Sequence, residues 1–175
     1  ISVLNFWKKN GKPSKLIMSF HGIPQKSLYQ GDPYHCECHK TGRLLAESLS
    51  LKNHEYQICF QSRFGKAEWL KPYFAEVIAD LGKQKVNNLH VICPGFSSDC
   101  LETLEEINME GKSIYIDNGG INYKYIPALN SNSIWIDAMG QILDSNMQGW
   151  LDPKWSPTKQ QKESALTKKQ AAKFK

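Results

Sequence analysis

Two polar segments, far apart in the chain, carry residues that can bind a metal ion or take up protons. His21 follows the apolar stretch 15–20, and Glu102 begins a helical pattern soon after the apolar stretch 89–93. Each apolar stretch is typical of a buried strand, and the carboxyl ends of parallel strands open onto a crevice where ligands bind. A neutral imidazole and a carboxylate that meet there can hold a divalent metal or accept protons from a substrate. A histidine that only packs at a strand end is the competing interpretation.

Further acidic residues follow Glu102. Glu106 stands four positions later, which places both carboxylates on one helix face, where they repel each other unless a cation lies between them. Glu105 and Glu110 continue the acidic run and are typical of a solvated face. We therefore take His21, Glu102 and Glu106 as the candidate metal ligands, with His21 and Glu102 as the candidate catalytic pair.

The crevice has a third border. Gln61, Ser62 and Arg63 follow the apolar stretch 55–60, so they lie at the carboxyl end of another predicted strand. Arg63 can bind a carboxylate through two parallel hydrogen bonds, and Trp69 can offer a flat apolar wall. We expect these four residues to contact a substrate, although a surface arginine and a core tryptophan are the simpler alternatives.

The segment His35-Cys36-Glu37-Cys38-His39 resembles a cluster of metal ligands. It falls at a predicted helix start, where Cys36 and Cys38 would point to different faces. A zinc site usually needs a second pair of Cys or His ligands, and none stands at a suitable spacing. The sequence therefore favours an incidental cluster.

The elements that position these residues alternate along the chain. Strands are predicted over 15–20, 55–60, 89–93 and 123–127, and helices over 35–51, 69–81, 99–110 and 132–143, with Asp99 as a helix N-cap. Pro72 would lie in the first turn of its helix, and residues 24–33 would form a loop. Repeated strand–helix order predicts an α/β fold, a doubly wound, four-stranded parallel sheet with helices on both faces.

The charge is distributed unevenly. The 175 residues carry a net charge of +5. All of it comes from residues 151–175, because acidic and basic residues are equal in number in residues 1–150. We expect residues 1–150 to form one domain without a nucleic-acid surface, and residues 151–175 to form a basic, weakly ordered tail. Peripheral contact with an anionic membrane and a folded terminal helix are the alternatives for this tail.

The cysteines and the hydropathy of the chain indicate in which cellular compartment the protein is expected. The five cysteines are scattered and odd in number, which favours reduced thiols in a cytoplasmic protein. The sequence contains neither a secretory signal pattern nor an apolar run of membrane-spanning length. Because residue 1 is Ile rather than Met, we expect a fragment or processed piece of a longer protein.

Taken together, the motifs resemble those of the ferrochelatase family, closest to its bacterial protoporphyrin branch. The resemblance covers about residues 1–145 and rests on segments in the family's order: 19–24, 31–34, 60–65 with 69–70, 93–96 with 99–106, and 125–130. Family members are roughly twice this long and have two similar α/β lobes, so the chain resembles the carboxyl-terminal lobe. It departs from many members at Glu68, Phe74 and Ala75, and some members have a His where Cys100 stands.

The resemblance implies a lyase of the metal chelatase type that inserts ferrous iron into protoporphyrin IX, forming heme in the last step of heme biosynthesis. His21 and Glu102 match the family's active-site His and Glu. Glu106 matches a further acid on a helix that carries a π-type distortion in the family. Iron would be a substrate, with no required cofactor. No iron–sulfur cluster is expected, because no Cys follows Cys100.

The partners implied are protoporphyrin IX, ferrous iron and the absent amino-terminal lobe, which supplies the other wall of the cleft. The isolated chain is therefore expected to be poorly active. Two alternatives stay open: a cobalt-inserting tetrapyrrole chelatase, since His and carboxylate ligands suit both metals, and a non-catalytic half-module that binds porphyrin or metal. The expected location is the cytoplasm, with possible association with a membrane.

Overall fold

Four strands form one parallel sheet, close to where the sequence predicts them, in a computed structural model that describes residues 1–150 and 155–174. They are β1 (Lys15–His21), β2 (Tyr56–Gln61), β3 (Asn88–Ile92) and β4 (Asn122–Ile126). The spatial order is β2-β1-β3-β4, and every neighbouring pair is parallel. The chain moves outward from β1 in both directions, so the order reverses between β1 and β3, where ligands bind in open α/β sheets.

Helices cover both faces of this sheet, which confirms the predicted doubly wound α/β architecture. Alternate residues of β1 enter different cores because successive strand side chains point to opposite faces. Leu16 and Met18 join the core under α1 (Ser2–Asn10) and α3 (Tyr34–Ser48), whereas Ile17 joins the core under α4 (Phe74–Lys83) and α5 (Gly111–Asp117). All three side chains are fully buried, as expected for a central parallel strand.

The predicted helix over 69–81 is wrong at its start. Helix α4 begins only at Phe74, and residues 69–73 form a bent, non-helical connection that contains a cis peptide bond between Lys71 and Pro72. The Leu70 amide donates to the Ile23 carbonyl at 3.0 Å, and Phe60 donates to Pro72 at 2.9 Å. These long-range hydrogen bonds take up backbone groups that a helix would use internally, so tertiary pairing overrides the local pattern.

One other connection differs from prediction, and the helix after β3 has the π-type distortion that the resemblance implies. The segment 24–33 contains a short helix, α2 (Gln25–Tyr29), where the sequence predicts only a loop. The helical segment after β3 is a π-helix (Glu102–Glu110) that continues into α5. A short 3₁₀ helix (Asn53–Glu55) precedes β2.

Residues 132–175 form a second compact unit, separate from residues 1–131. It contains α6 (Ser133–Asn146), α7 (Pro157–Ala171) and a 3₁₀ turn (Ala172–Phe174). The predicted boundary near residue 150 stays a prediction, and residues 151–154 and 175 of the predicted tail lie outside the described residues. The Ser156 side chain accepts from the Lys159 amide, and Pro157 occupies the first turn, so helix-starting residues explain α7. Its side chains are all exposed.

Within the two described stretches, 1–150 and 155–174, no helix combines the length and the apolarity that crossing a membrane requires.

Candidate active site

His21 is the last residue of β1, at the switch point of the sheet. Its Nδ1 lies 2.6 Å from the Gly22 carbonyl oxygen. A carbonyl only accepts, so Nδ1 carries a proton, and in the neutral form of the ring the lone pair on Nε2 is free. The Tyr34 hydroxyl donates to the His21 carbonyl at 2.8 Å, which fixes the backbone below the ring. The geometry leaves Nε2 able to accept a proton or bind a metal.

Two aromatic side chains stand beside this imidazole. The Trp69 and Phe96 rings have their centroids 6.3 and 6.5 Å from that of His21. A Cβ on Gly22 would lie 2.9 Å from the Gln61 carbonyl oxygen and 3.1 Å from the Trp69 ring. Only glycine therefore lets the loop after His21 pass this close to β2 and the tryptophan.

Gln61 ends β2 directly opposite His21 in the register of the sheet. Its side chain is buried and bonded at both ends: Oε1 accepts from the Ser19 hydroxyl at 2.8 Å, and Nε2 donates to the Glu102 carbonyl at 2.9 Å. The amide thus links the centre of the sheet to the first residue of the π-helix. In this structure Gln61 positions the helix, and its predicted contact with a substrate stays a prediction.

Ser62 and Glu106 form a clamp between the loop after β2 and the π-helix. The Glu106 carboxylate accepts from the Ser62 amide at 2.6 Å and from the Ser62 hydroxyl at 2.5 Å. Ser62 has a φ of 62°, in the left-handed region, which non-glycine residues adopt at a cost. Hydrogen bonds to a charged acceptor are stronger than neutral ones, and they compensate for this backbone conformation.

Arg63 is exposed, and its guanidinium lies over the Tyr73 ring, 5.1 Å from the centroid. A cation over an aromatic face is attracted by the ring. Among the described residues Arg63 makes no ion pair, so its guanidinium is available to an anionic ligand.

The π-helix brings its acids to one open cavity of about 450 Å³. Hydrogen bonds from residue i to i+5 widen the helix relative to an α-helix, and such segments are frequent at functional sites. The side chains that line the cavity are Ser62, Arg63, Phe64, Leu101, Glu102, Glu105, Glu106 and Glu110. Glu105 and Glu110, expected on a solvated face, thus border the same cavity as the two candidate acids.

A smaller cavity of about 230 Å³ adjoins this one and shares four of its lining residues, Ser62, Arg63, Glu106 and Glu110. Tyr73, Phe74 and Glu76 close its other side. The clamp between Ser62 and Glu106 is therefore the partition between the two spaces.

Glu102 is exposed, and its carboxyl pKa is lowered. The main cause is a hydrogen bond from the Cys100 thiol, followed by one from the Glu102 amide itself, with a smaller contribution from the positive charge that the His21 imidazole carries when it is protonated. An ionised Glu102 is suited to attract a cation.

Asp99 holds the start of this region, and the predicted N-cap role for it is wrong. Its carboxylate accepts from the Tyr125 hydroxyl at 2.7 Å, the Asn130 side-chain amide at 2.7 Å and the Thr103 hydroxyl at 3.1 Å. Burial raises the Asp99 pKa, but hydrogen bonds, led by that from Asn130, outweigh it and leave the pKa lowered. Asp99 therefore ties the π-helix to the end of β4, a role that no local sequence signal indicates.

No group of three or more His, Cys, Asp and Glu side chains in the described residues is arranged to hold a metal ion. The three candidate ligands are accordingly not gathered around one point: Glu106 is bonded to Ser62, and His21 does not line the acidic cavity.

Comparison with known proteins gives the family. The ferrochelatase family model matches residues 2–147. The chain is 59% identical over 155 residues to the ferrochelatase of Nitrosomonas europaea, which covers 89% of this chain and 43% of that protein. It is 57% identical over 150 residues to that of Methylobacillus flagellatus (86% and 44%) and 49% identical over 172 residues to that of Thioalkalivibrio sulfidiphilus (97% and 47%). The chain thus spans less than half the length of these relatives, and it belongs to the ferrochelatase family.

Proposed function

We propose that this chain forms the His/Glu wall of an enzyme that inserts ferrous iron into protoporphyrin IX, making heme with the release of two protons. The observation that carries the proposal is the free Nε2 of His21, held at the sheet's switch point opposite Gln61, whose side chain bonds to the backbone of Glu102. The relatives named ferrochelatase support it. The reaction class would be that of a lyase acting as a metal chelatase.

His21 would act as the base in this reaction. Pyrrole N–H groups are weak acids, so a positioned acceptor is needed to remove their protons as the metal enters. Because Nδ1 donates to the Gly22 carbonyl, proton uptake at Nε2 makes a cation whose Nδ1–H bond to that carbonyl becomes charge-assisted. The Tyr34 hydroxyl keeps the strand end in place while the charge changes.

The acids of the π-helix would serve the cation and the released protons. Carboxylates at Glu102, Glu105, Glu106 and Glu110 share one cavity, where a hydrated ferrous ion would relieve the repulsion among them. Glu102 is the acid whose backbone is bonded to Gln61, the residue opposite His21 in the sheet, so it would pass the ion to the imidazole. The clamp at Ser62 holds Glu106 in the lining of this cavity.

The porphyrin would lie against Trp69, with Arg63 available to one of its propionates. The Trp69 ring stands beside His21, and an unpaired guanidinium can bind a carboxylate through two hydrogen bonds. The opposite wall would come from the amino-terminal lobe of the full-length protein. The proposal requires no resident cofactor and no iron–sulfur cluster, and it places the enzyme in the cytoplasm, with peripheral membrane contact as an option.

The test uses a chimera in which this chain replaces the matching carboxyl-terminal part of the Nitrosomonas europaea relative. The chimera is incubated anaerobically with protoporphyrin IX and Fe²⁺, and loss of porphyrin fluorescence is followed. We expect His21→Ala to lower kcat by about 10²–10⁴-fold, the usual contribution of a general base. His54→Ala, at an exposed histidine in the 3₁₀ turn before β2, is the matched control and should keep full activity. Equal rates for both variants would refute the catalytic role of His21.

The two alternatives give different results in the same assay. A cobalt chelatase would turn over faster with Co²⁺ than with Fe²⁺ under the same conditions. A non-catalytic half-module would bind porphyrin but show no turnover in the chimera. We expect the isolated chain to be poorly active, because it spans less than half of its relatives, and rapid turnover by the chain alone would contradict the need for a second wall.

A further inference from the structure

Helix α3 carries two histidines one turn apart whose rings face each other. His35 and His39 are four residues apart, and their ring centroids are separated by 4.4 Å with an angle of 42° between the ring planes. Side chains at i and i+4 are neighbours on a helix surface, and two histidines at this spacing form half of a well-known helical zinc motif. The pair lines neither cavity of the candidate active site.

Both imidazoles are free to bind an ion. His39 is exposed, and His35 is half-buried with its ring stacked on Phe60 at 5.8 Å between centroids. No hydrogen bond or ion pair to either ring occurs in the described part of the chain, so their nitrogens are not committed to protein groups.

The spacing of the rings fits two adjacent ligand positions on one ion. With a metal–nitrogen bond of about 2.1 Å, an imidazole centroid lies roughly 3.2 Å from the metal. Two rings at right angles on the ion then have centroids about 4.5 Å apart, as in octahedral or tetragonal coordination. The observed 4.4 Å matches this value, whereas tetrahedral coordination would need roughly 5.2 Å.

The cysteines of the same segment do not join the pair. Cys36 is exposed and Cys38 is buried, which confirms that they point to different faces. Cys38 is next to Tyr34, to which it makes a hydrogen bond, and its thiol pKa is raised by burial. The segment is therefore not a four-ligand zinc site, and the interpretation from sequence missed the histidine spacing.

We propose that His35 and His39 form a two-ligand site for a divalent late transition metal ion, with water in the remaining positions. Imidazole suits Cu²⁺, Ni²⁺ and Zn²⁺, and the ring spacing favours the first two. Chelation across one turn stabilises the start of α3, where Tyr34 supports the backbone of His21. The site does not depend on the proposed reaction, because none of its ligands is needed for it.

The experiment is a calorimetric titration of the 175-residue chain carrying His21→Ala, with Ni²⁺ and Cu²⁺ as probes. This background removes the imidazole of the active site, and His90 is fully buried. We expect one equivalent of metal per chain, with Cu²⁺ bound more tightly than Ni²⁺. Adding His39→Asn should abolish this binding, whereas adding His54→Asn should leave it unchanged.

Two further measurements separate a lost ligand from a lost fold or a thiol site. Saturating Ni²⁺ should raise the melting temperature of the His21→Ala chain but not that of the His39→Asn form, whose metal-free melting temperature should be unchanged. Cys36→Ser should bind metal as before. Equal binding with and without His39→Asn, or loss of binding in Cys36→Ser, would overturn the proposal.

Discussion

The clamp between Ser62 and Glu106 gives the sharpest prediction. Ser62→Ala removes the 2.5 Å hydroxyl bond to the carboxylate but keeps the 2.6 Å bond from the backbone amide. A hydrogen bond to a charged group contributes about 1.5–3 kcal/mol, and both residues are half-buried, so the low end applies. We expect the free energy of unfolding to fall by about 1.5 kcal/mol.

The backbone at Ser62 supplies an internal comparison. Ser62→Gly removes the same hydroxyl but relaxes the left-handed backbone at φ 62°. That conformation costs a non-glycine residue about 1–2 kcal/mol, so the glycine variant should be more stable than the alanine variant by about 1 kcal/mol. If both variants lose the same stability, the backbone at this position is not strained.

The assay is thermal unfolding of the 175-residue chain followed by circular dichroism. A loss of about 1.5 kcal/mol corresponds to a fall in melting temperature of roughly 3–6 °C for a chain of this size. Ser113→Ala is the matched control, because Ser113 also donates to a carboxylate, that of Asp117 at 3.1 Å, but on an exposed helix surface. The control should change stability by less than about 0.5 kcal/mol. A Ser62→Ala variant as stable as the control would refute the clamp.

Three more predictions concern stability and the geometry of the site. His90 is fully buried with both ring nitrogens unpaired, and burial lowers its pKa to about 4. In the unfolded chain this histidine has a pKa of about 6.5, so on acidification it is protonated there before it is protonated in the folded chain. The contribution of His90 to the free energy of unfolding is therefore fully present above pH 6.5 and falls by on the order of 3 kcal/mol toward pH 4. His90→Leu should remove this part of the pH dependence in urea unfolding, and an unchanged profile would contradict it. Gly22→Ala should lower the free energy of unfolding by about 1–3 kcal/mol, because the added Cβ meets the backbone of β2. Gly140→Ala is the control and should not lower it, because open space surrounds that position. Equal effects of the two substitutions would exclude the close approach at Gly22. Tyr34→Phe should cost about 1 kcal/mol and lower turnover of the chimera by loosening His21, and full activity would show that this hydrogen bond does not position the histidine.

Local patterns were sufficient for the elements that depend on local properties. Apolar runs of five or six residues predict all four strands, because a parallel sheet covered on both faces needs continuous burial. The His-Gly pair at the end of β1 correctly marks a strand end, since glycine there allows a close approach to β2. Periodicity placed α3 and α6 to within a few residues.

Contacts between distant segments determined what the patterns could not. The helix predicted from Trp69 is displaced to Phe74, because its expected first turn pairs with the loop after β1 and with the end of β2. The predicted N-cap, Asp99, instead binds side chains from β4 and the loop after it. Neither partner lies near in sequence, so no local signal could reveal them.

The sequence by itself determined the residue types of the site and the strand ends that carry them. Only the tertiary structure decided which of these side chains form hydrogen bonds within the protein and which remain available to a ligand. Gln61 and Ser62, both candidates for substrate contact, bond to the π-helix, whereas Nε2 of His21 and the Arg63 guanidinium keep their capacity to bind. The physical reason is that a polar side chain forms its hydrogen bonds with whichever donor or acceptor the fold brings within about 3 Å. For Gln61 and Ser62 that partner lies some forty residues away in the chain.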